Sequence, residues 1–223
     1  ELKSLAIKMY EPLFNDYDFV IDKTPRYWEI LDDLVTIFPE SKIIVLKRNP
    51  LDVVKSIVQT WNITTIERLN YFRNDLLNAP KQIDAFIKKQ HNNPNVISLF
   101  YNDLINNKKE TIESLYKQLG IDFTSQVFNT ENNQKYKGKY GDPYQNKTKK
   151  KPKPLDNLFL DFISGYANYL GKDYFIKNGF DYKTMKPTLA FNYFLNLGFY
   201  RTTVTKKSVK RELSLNLKKI FLK

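Results

Sequence analysis

Apolar residues fall into two kinds of run along the chain, and the two kinds alternate. Short apolar runs typical of strands occur at 18–22, 42–46 and 96–101. Stretches with apolar residues three or four positions apart, which predict helices, occur at 28–38, 50–61, 63–90, 110–119 and 155–170. Strands alternating with helices predict an α/β fold built on a parallel sheet.

The run Lys42–Leu46 is the clearest of the three strands. Its apolar residues do not alternate with polar ones, so we expect both faces of this strand to be covered. Asn49 and Pro50 follow it and suit the N-cap and the first residue of a helix. The predicted buried stripe of that helix comprises Val53, Val54, Ile57 and Trp61.

Glycines predict where two of the helices end. Gly120 follows one apolar-periodic stretch and is a typical left-handed helix stop, and Gly171 stands at the end of another such stretch. Residues 122–154 show little periodicity, which indicates a long loop.

Composition excludes several kinds of chemistry. The 223 residues include no Cys and one His, so disulfides, thiol catalysis, thiolate metal sites and histidine clusters are all excluded. The single His91 precedes Asn92, Asn93 and Pro94, which favours an exposed loop over a catalytic role. No apolar run approaches the roughly 20 residues of a membrane-spanning helix.

The net charge of +12 is concentrated in two stretches. Residues 135–153 hold eight lysines and one acidic residue, and residues 184–223 hold nine basic residues and one acidic residue. The second stretch also predicts an amphipathic helix with apolar positions Val209, Leu213, Leu217 and Ile220. Such a basic tail could lie on an anionic membrane surface, or pack against its own domain or a second copy. The expected location is therefore the cytoplasm or a membrane surface.

A phosphate site is one interpretation of the residues that follow the second strand. Arg48 stands at the carboxyl end of a predicted parallel strand, where α/β proteins bind ligands. The next helix directs its N-terminus to the same place, and Ser56 lies two turns along it. Arg48 could hold a phosphate through two hydrogen bonds, with the Ser56 hydroxyl as a further donor. A local ion pair for Arg48 and a solvated Ser56 are the alternative, and the spacing leaves both open.

Two segments, residues 19–27 and 38–50, resemble the sulfotransferase family, whose members use 3′-phosphoadenosine 5′-phosphosulfate (PAPS). The resemblance implies a P-loop-NTPase-like fold, with a parallel sheet flanked by helices. It also implies that Arg48 and Ser56 hold the 3′-phosphate of the donor. Residues 1–183 would then form the sulfotransferase-like domain, with 184–223 as a helical tail.

Other residues match the family individually. Tyr101 begins a segment similar to one that lies near the adenine in the family, and Lys137 and Gly138 resemble the loop that closes over the 3′-phosphate. Lys23 occupies the family's Lys-Thr-Pro segment, which implies that it faces the sulfonate and neutralises developing charge. The resemblance implies no metal.

One family feature is missing from this sequence. The family begins its donor site with a glycine-containing phosphate loop, whereas the first glycine here is Gly120. We therefore expect the chain to be the carboxyl-terminal part of a longer sulfotransferase, incomplete at its N-terminus and with little or no transfer activity alone. The general base commonly lies in the same stretch, so no base is assigned.

Three functions compete at this point. The first is sulfuryl transfer from PAPS to a hydroxyl acceptor, with a carbohydrate as the expected acceptor. The second is a non-enzymatic basic module that binds nucleic acid or another polyanion, which would show steep salt dependence and no role for Arg48. With the sulfotransferase reading, nucleic acid is not an expected partner. A kinase-like enzyme is the third, and the lack of a Gly-Lys-Ser/Thr motif argues against it.

Overall fold

The computed structural model describes residues 2–14, 17–128, 155–182 and 189–197. The α-helices in these ranges are α1 (Leu2–Tyr10), α2 (Leu31–Ile37), α3 (Pro50–Thr60), α4 (Ile66–Leu69), α5 (Arg73–Leu77), α6 (Ala79–Lys89), α7 (Tyr101–Asn106), α8 (Lys108–Leu119), α9 (Asn157–Leu170), α10 (Lys172–Lys177) and α11 (Leu189–Asn196). The strands are β1 (Ile43–Lys47) and β2 (Val96–Phe100), and short 3₁₀ turns cover Glu11–Phe14, Tyr27–Glu29, Asn70–Phe72 and Ser125–Phe128. The structure is therefore mixed α/β and mostly helical, which confirms the predicted class.

The described residues fall into two units. The first unit takes in the chain up to Arg48 and again from Leu77 to Phe128, and it holds both strands. The second unit takes in 49–76 together with 155–182 and 189–197.

In the first unit, β1 and β2 pair in parallel. The register runs from Ile43 opposite Val96 to Lys47 opposite Phe100. Because the strands are parallel, Lys47 and Phe100 end them at the same edge, and the residues that follow emerge together. The parallel pairing predicted from the alternation of elements is confirmed.

The core of the first unit lies on one face of this sheet. Its buried residues are Trp28, Leu31, Val45, Ala79 and Phe86, and partly buried Val35, Ile43, Ile83, Ile87 and Val96 pack around them. They come from the β-strands and from the two segments predicted as helices on either side, 28–38 and 63–90. The first of those begins as a 3₁₀ turn at Tyr27–Glu29, and regular helix starts at Leu31.

The prediction that both faces of the 42–46 strand are covered is wrong. Val45 is buried, but Ile44 and Leu46 on the opposite face are 45% and 50% exposed. On that opposite face Ile97 of β2 is buried, whereas Ile44 and Leu46 of β1 are half-exposed. The apolar run thus reflects a strand with one well-packed face.

The predicted strand at 18–22 is also wrong. These residues run through an extended stretch and a bend, and in the described part of the first unit the ladder consists of β1 and β2. Phe19 and Ile21 are largely exposed. An apolar run without a neighbouring strand has no partner for its backbone N–H and C=O groups, so it does not become a strand.

The second unit is built on the apolar helix α9. Asp156 caps its start, its side chain accepting a hydrogen bond from the Phe159 N–H, and Gly171 ends it at φ +85° as predicted. Buried α9 side chains are Phe159, Phe162, Ile163, Tyr166, Ala167 and Leu170. The Tyr166 hydroxyl is buried with them and donates to the Leu76 carbonyl oxygen at 2.6 Å.

Helix α11 packs closely on α9 although it lies within the stretch predicted as a tail. Phe191 and Phe194 are buried, and Phe194 meets Phe162 edge to face at 5.0 Å between ring centroids. A Cβ atom at Gly165 would stand 2.4 Å from the Cβ of Phe191, so only glycine allows this approach. Arg73 closes the far end of α11 by donating hydrogen bonds to the carbonyl oxygens of Phe194 and Leu195.

The cap predictions for the other helices are confirmed. Asn49 caps α3 by accepting a hydrogen bond from the Leu51 N–H at 3.0 Å, with Pro50 as the first helical residue. Gly120 ends α8 at φ +71°. Of the predicted buried stripe of α3, Val54 is buried, whereas Val53, Ile57 and Trp61 are only partly buried. Pro50 and Val58 complete the buried face.

Two predicted regions lie outside the described residues: the basic stretch within 129–154 and the amphipathic positions of the tail after 197. In the described part of the chain, no helix has the length and apolar character needed to cross a membrane.

Candidate functional site

Arg48 and Tyr101 meet at the edge where the two parallel strands end. Arg48 follows the last residue of β1, and Tyr101 follows the last residue of β2. The Arg48 guanidinium carbon lies 4.5 Å from the centroid of the Tyr101 ring, within the range of a cation–π contact. Both side chains are half-buried. The structure thus brings together two residues that the sequence analysis placed on two separate strands.

This strand-end pair is suited to bind an anion. A guanidinium that lies over a ring still carries N–H donors in its own plane, and these can form two parallel hydrogen bonds with a phosphate. The aromatic ring fixes the guanidinium without neutralising its charge. In this contact the partner of Arg48 is an aromatic ring, whereas the alternative left open by the spacing was a carboxylate.

A buried ion pair lies at the last residue of β1, directly before Arg48 in the chain. The Lys47 ammonium lies 2.8 Å from Oδ1 of Asp84, and each side chain is 10% exposed. The ammonium also lies 5.5 Å from the centroid of the Phe100 ring. Lys47 and Phe100 are paired in the sheet register, so α6, β1 and β2 are joined at the residues just before the strand-end pair.

Ser56 lies in the second unit, half-buried on α3. The helix that carries it starts at the predicted cap, immediately after Arg48 in the chain. The convergence of Arg48 and Ser56 on one phosphate remains a prediction. Lys137 and Gly138 lie outside the described residues, so their predicted role also remains a prediction.

Lys23 is exposed, and it follows Asp22, whose carboxylate accepts hydrogen bonds from two tyrosines. Both Tyr10 and Tyr27 donate hydrogen bonds to Oδ2 of Asp22, and Thr24 donates to Oδ1 at 3.3 Å. These bonds favour the ionised carboxylate, so the pKa of Asp22 lies below its ordinary value, with Tyr10 as the largest cause and Tyr27 next. The phenol of Tyr10 correspondingly has a raised pKa, chiefly because of Asp22.

Sequence reasoning missed both Asp22 and Asp84. Asp22 had a visible signal, since it stands directly before the Lys-Thr-Pro segment, but its tyrosine partners lie 12 and 5 residues away along the chain. Asp84 is an acidic residue on the apolar face of a helix, a pattern that predicts a buried partner without naming it. In the ranges described, histidine, cysteine, aspartate and glutamate side chains form no group of three or more that could hold a metal ion.

A model of the sulfotransferase family matches residues 1–125, more than half of the chain. The chain belongs to the sulfotransferase family. This confirms the resemblance, and sulfotransferases are transferases that generally take the sulfuryl group from PAPS. The matched range contains four of the predicted site residues, namely Lys23, Arg48, Ser56 and Tyr101.

One curated relative adds to the family match. Nodulation protein NoeE of Sinorhizobium fredii (strain NBRC 101917 / NGR234) is 48% identical to this sulfotransferase over 44 residues. Those residues make up 20% of this chain and 10% of the relative, so the match spans a small part of that protein's length. No solved structure matches the chain significantly.

The carboxylate of Asp22 makes the segment around Lys23 sensitive to acid. Since the folded state lowers the pKa of Asp22, its contribution to stability is present above the unfolded value of 3.8 and is lost as the pH falls through the folded value. We expect Tyr10→Phe to raise the pKa of Asp22, while Tyr27 still holds it below the ordinary value. A carbon-detected NMR titration of the Asp22 carboxyl would measure both values. Tyr17→Phe, at an exposed tyrosine in the same unit, is the control, and an equal pKa in the wild type and Tyr10→Phe would contradict the assignment.

Proposed function

We propose that this sulfotransferase chain binds the nucleotide end of PAPS and contributes to sulfuryl transfer onto a hydroxyl group, with a carbohydrate as the acceptor. The observation that supports this most directly is the strand-end pair. Arg48 is held over Tyr101 at the carboxyl edge of two parallel strands, within the range that matches the family. Ligands of open α/β sheets bind at this edge.

Each residue has a stated role in the proposal. Arg48 binds the 3′-phosphate through its guanidinium, and Ser56 adds a hydroxyl donor to the same phosphate. Tyr101 lies beside the adenine, while Lys137 and Gly138 close over the phosphate. These roles follow the family resemblance, and the Arg48–Tyr101 contact is compatible with them.

Lys23 is proposed to face the transferred group. In sulfuryl transfer the acceptor oxygen forms a bond to sulfur as the bond from sulfur to the 5′-phosphate oxygen breaks, and the hydroxyl proton passes to a base. As in phosphoryl transfer, positioning and electrostatic stabilisation supply most of the catalysis. Lys23 directly follows Asp22 in the chain and is exposed, and its ammonium would stabilise the negative charge that develops on the leaving phosphate oxygen.

Two nucleotides that differ by one phosphate test the proposal. We expect adenosine 3′,5′-bisphosphate to bind the chain more tightly than adenosine 5′-monophosphate, because Arg48 contacts the additional phosphate. Arg48→Ala removes a charge-assisted hydrogen-bonding group, so it should weaken the bisphosphate roughly ten- to a hundredfold. The affinity for the monophosphate should change little. Isothermal titration calorimetry gives the four dissociation constants.

Arg68→Ala is the matched control, since it removes one exposed arginine from the second unit and leaves the strand-end pair intact. It should bind both nucleotides as the wild type does. Equal weakening of the two nucleotides by Arg48→Ala would contradict the assignment of Arg48 to the 3′-phosphate. If neither nucleotide binds the wild-type chain, the proposed function is wrong.

A further inference from the structure

Two cations stand in succession at the end of strand β1, and each of them contacts an aromatic ring at the end of β2. Lys47 is paired with Phe100 in the sheet register, and its ammonium lies 5.5 Å from the centroid of that ring. Arg48 and Tyr101 are the next residues along the two segments, and they form the strand-end pair at 4.5 Å. The parallel register therefore repeats one kind of contact, a cation beside a ring, at two successive positions.

The two cations differ in their charge partners. Lys47 forms the ion pair with Asp84 at 2.8 Å, and both side chains are 10% exposed, so its charge is compensated and largely closed to solvent. Arg48 is half-buried, and the ring that it contacts carries no net charge. The contact with Tyr101 therefore leaves the positive charge of Arg48 at the strand end, where an anion can use it.

The ring also restrains the Arg48 side chain. An arginine has several rotatable bonds, and immobilising such a side chain on a ligand costs conformational entropy. Because the contact with the ring holds the guanidinium before a ligand arrives, less entropy is lost on binding. The N–H donors of a guanidinium lie in its own plane, so contact with a ring leaves them to the phosphate oxygens. Tyr101 can thus strengthen phosphate binding without touching the phosphate.

The backbone holds Tyr101 on both sides. Phe100 before it is extended, at φ −97° and ψ 133°, and belongs to the paired strand β2. Tyr101 itself is the first residue of α7. A residue between a paired strand and a helix has little backbone freedom, and side chains on such elements hold a geometry better than side chains on loops do. The ring is therefore suited to fix the position of a second side chain.

We propose that Tyr101 is a positioning residue for Arg48, and that its ring contributes to the preference for a nucleotide with a 3′-phosphate. This inference rests on the proposed function, which assigns that phosphate to Arg48. It differs from a contact between Tyr101 and adenine, since the effect of the ring reaches the ligand through the guanidinium. The two effects are separable, because adenosine 5′-monophosphate contains the adenine and lacks the 3′-phosphate.

Replacing the ring by an aliphatic side chain is the decisive test. The quantity measured is the ratio of the dissociation constants of adenosine 5′-monophosphate and adenosine 3′,5′-bisphosphate, obtained by isothermal titration calorimetry on the full chain. Tyr101→Leu removes the cation–π contact and should lower this ratio about three- to tenfold. Tyr101→Phe keeps a ring in place and should retain the ratio to within about twofold.

Phe128→Leu is the matched control. The Lys108 ammonium lies 5.3 Å from the centroid of the Phe128 ring in the same unit, so this variant removes a cation–ring contact away from the strand ends. It should leave the ratio unchanged. In an Arg48→Ala background, Tyr101→Leu should not lower the ratio further, because the ring acts through Arg48. A further loss in that background would overturn the proposal.

A second measurement follows the Arg48 side chain in the absence of any ligand. Nitrogen-15 relaxation at Nε of Arg48 should show a restrained side chain in the wild type and in Tyr101→Phe. In Tyr101→Leu the same side chain should become mobile on the picosecond-to-nanosecond timescale. Equal mobility in all three proteins would overturn the positioning role.

The nucleotide titrations separate this inference from the proposed function. If Tyr101→Leu weakens both nucleotides by the same factor, the ring acts on the adenine alone, which overturns the positioning role and leaves the proposed function standing. A wild-type chain that binds the two nucleotides equally would overturn the inference together with the assignment of Arg48 to the 3′-phosphate. If the wild type binds neither nucleotide, the proposed function and the inference both fail.

Discussion

Asp84→Ala is expected to lower the free energy of unfolding of the first unit by about 3–5 kcal/mol, the usual cost of removing one partner of a buried ion pair. Asp84 and Lys47 form that pair at 2.8 Å with both side chains 10% exposed. In the variant, the Lys47 ammonium loses its main charge partner at a position that water reaches poorly. Urea denaturation followed by circular dichroism would measure the loss.

A second ion pair in the same unit provides a matched control. Lys89 and Asp32 lie 3.0 Å apart, but their side chains are 62% and 60% exposed. Asp32→Ala should therefore cost no more than about 1 kcal/mol. Similar losses for Asp84→Ala and Asp32→Ala would show that the buried pair has no special role.

Replacing both members of the buried pair tests the physical reason for the loss. Lys47→Met with Asp84→Leu removes the two charges together and keeps apolar volume in their place. Such replacements are often neutral or stabilising. We expect the double variant to be more stable than Asp84→Ala, and a double variant at least as unstable would contradict the explanation.

Gly165→Leu is expected to destabilise the second unit by about 3 kcal/mol or more, since overpacking a dense core costs this much when neither side can move. The added Cβ would lie 2.4 Å from the Cβ of Phe191, well inside the 3.5–4.0 Å of a favourable carbon contact. The Phe191 Cβ is fixed to the backbone of α11, so relief requires the helix to shift. Leucine has a higher helix propensity than glycine, by most of 1 kcal/mol, so a loss of stability in this variant is caused by the clash.

The control for this variant introduces the same residue on the same helix. Asn157 lies in the first turn of α9 and is exposed, so Asn157→Leu should change stability by no more than about 0.5 kcal/mol. Gly165→Ala should fall between the control and Gly165→Leu. Hydrogen exchange of the α11 amides would show whether the helix loosens, and unchanged exchange in Gly165→Leu would contradict the close approach.

Features that depend on local signals could be predicted from the sequence. Asn49, Gly120 and Gly171 were assigned as caps correctly because a cap depends on a few neighbouring residues and on the φ angle at one position. The parallel strands followed from a similar rule, since helices between apolar runs favour parallel connections.

The errors came from contacts between distant segments. The run at 18–22 has the composition of a strand, but composition does not supply the neighbour that a strand must pair with. In α3, the pair Val54 and Val58 is buried, whereas the pair Val53 and Ile57 is only partly buried; of these four, Val54 was predicted correctly and Val58 was missed. Both pairs have helical spacing, and only the packing partner decides which one faces inward.

In the candidate site, too, what depends on local position could be predicted and what depends on distant contacts could not. Arg48 was found from its position after a strand, and the structure adds the ring of Tyr101 above it, 53 residues along the chain. A groove in the second unit was not predicted, because the starts of three helices widely separated in sequence line it. No motif spans such a separation, so a groove of this kind becomes visible only in three dimensions.

The half-open strand β1 affects how the protein behaves at high concentration. Ile44 and Leu46 present branched apolar side chains to water, beside backbone groups that no third strand pairs with in the described part of the first unit. Such an edge is a template for strand addition between molecules. When copies crowd together, self-association should start there, and a lysine at position 44 would discourage it by placing a charge in each incoming interface.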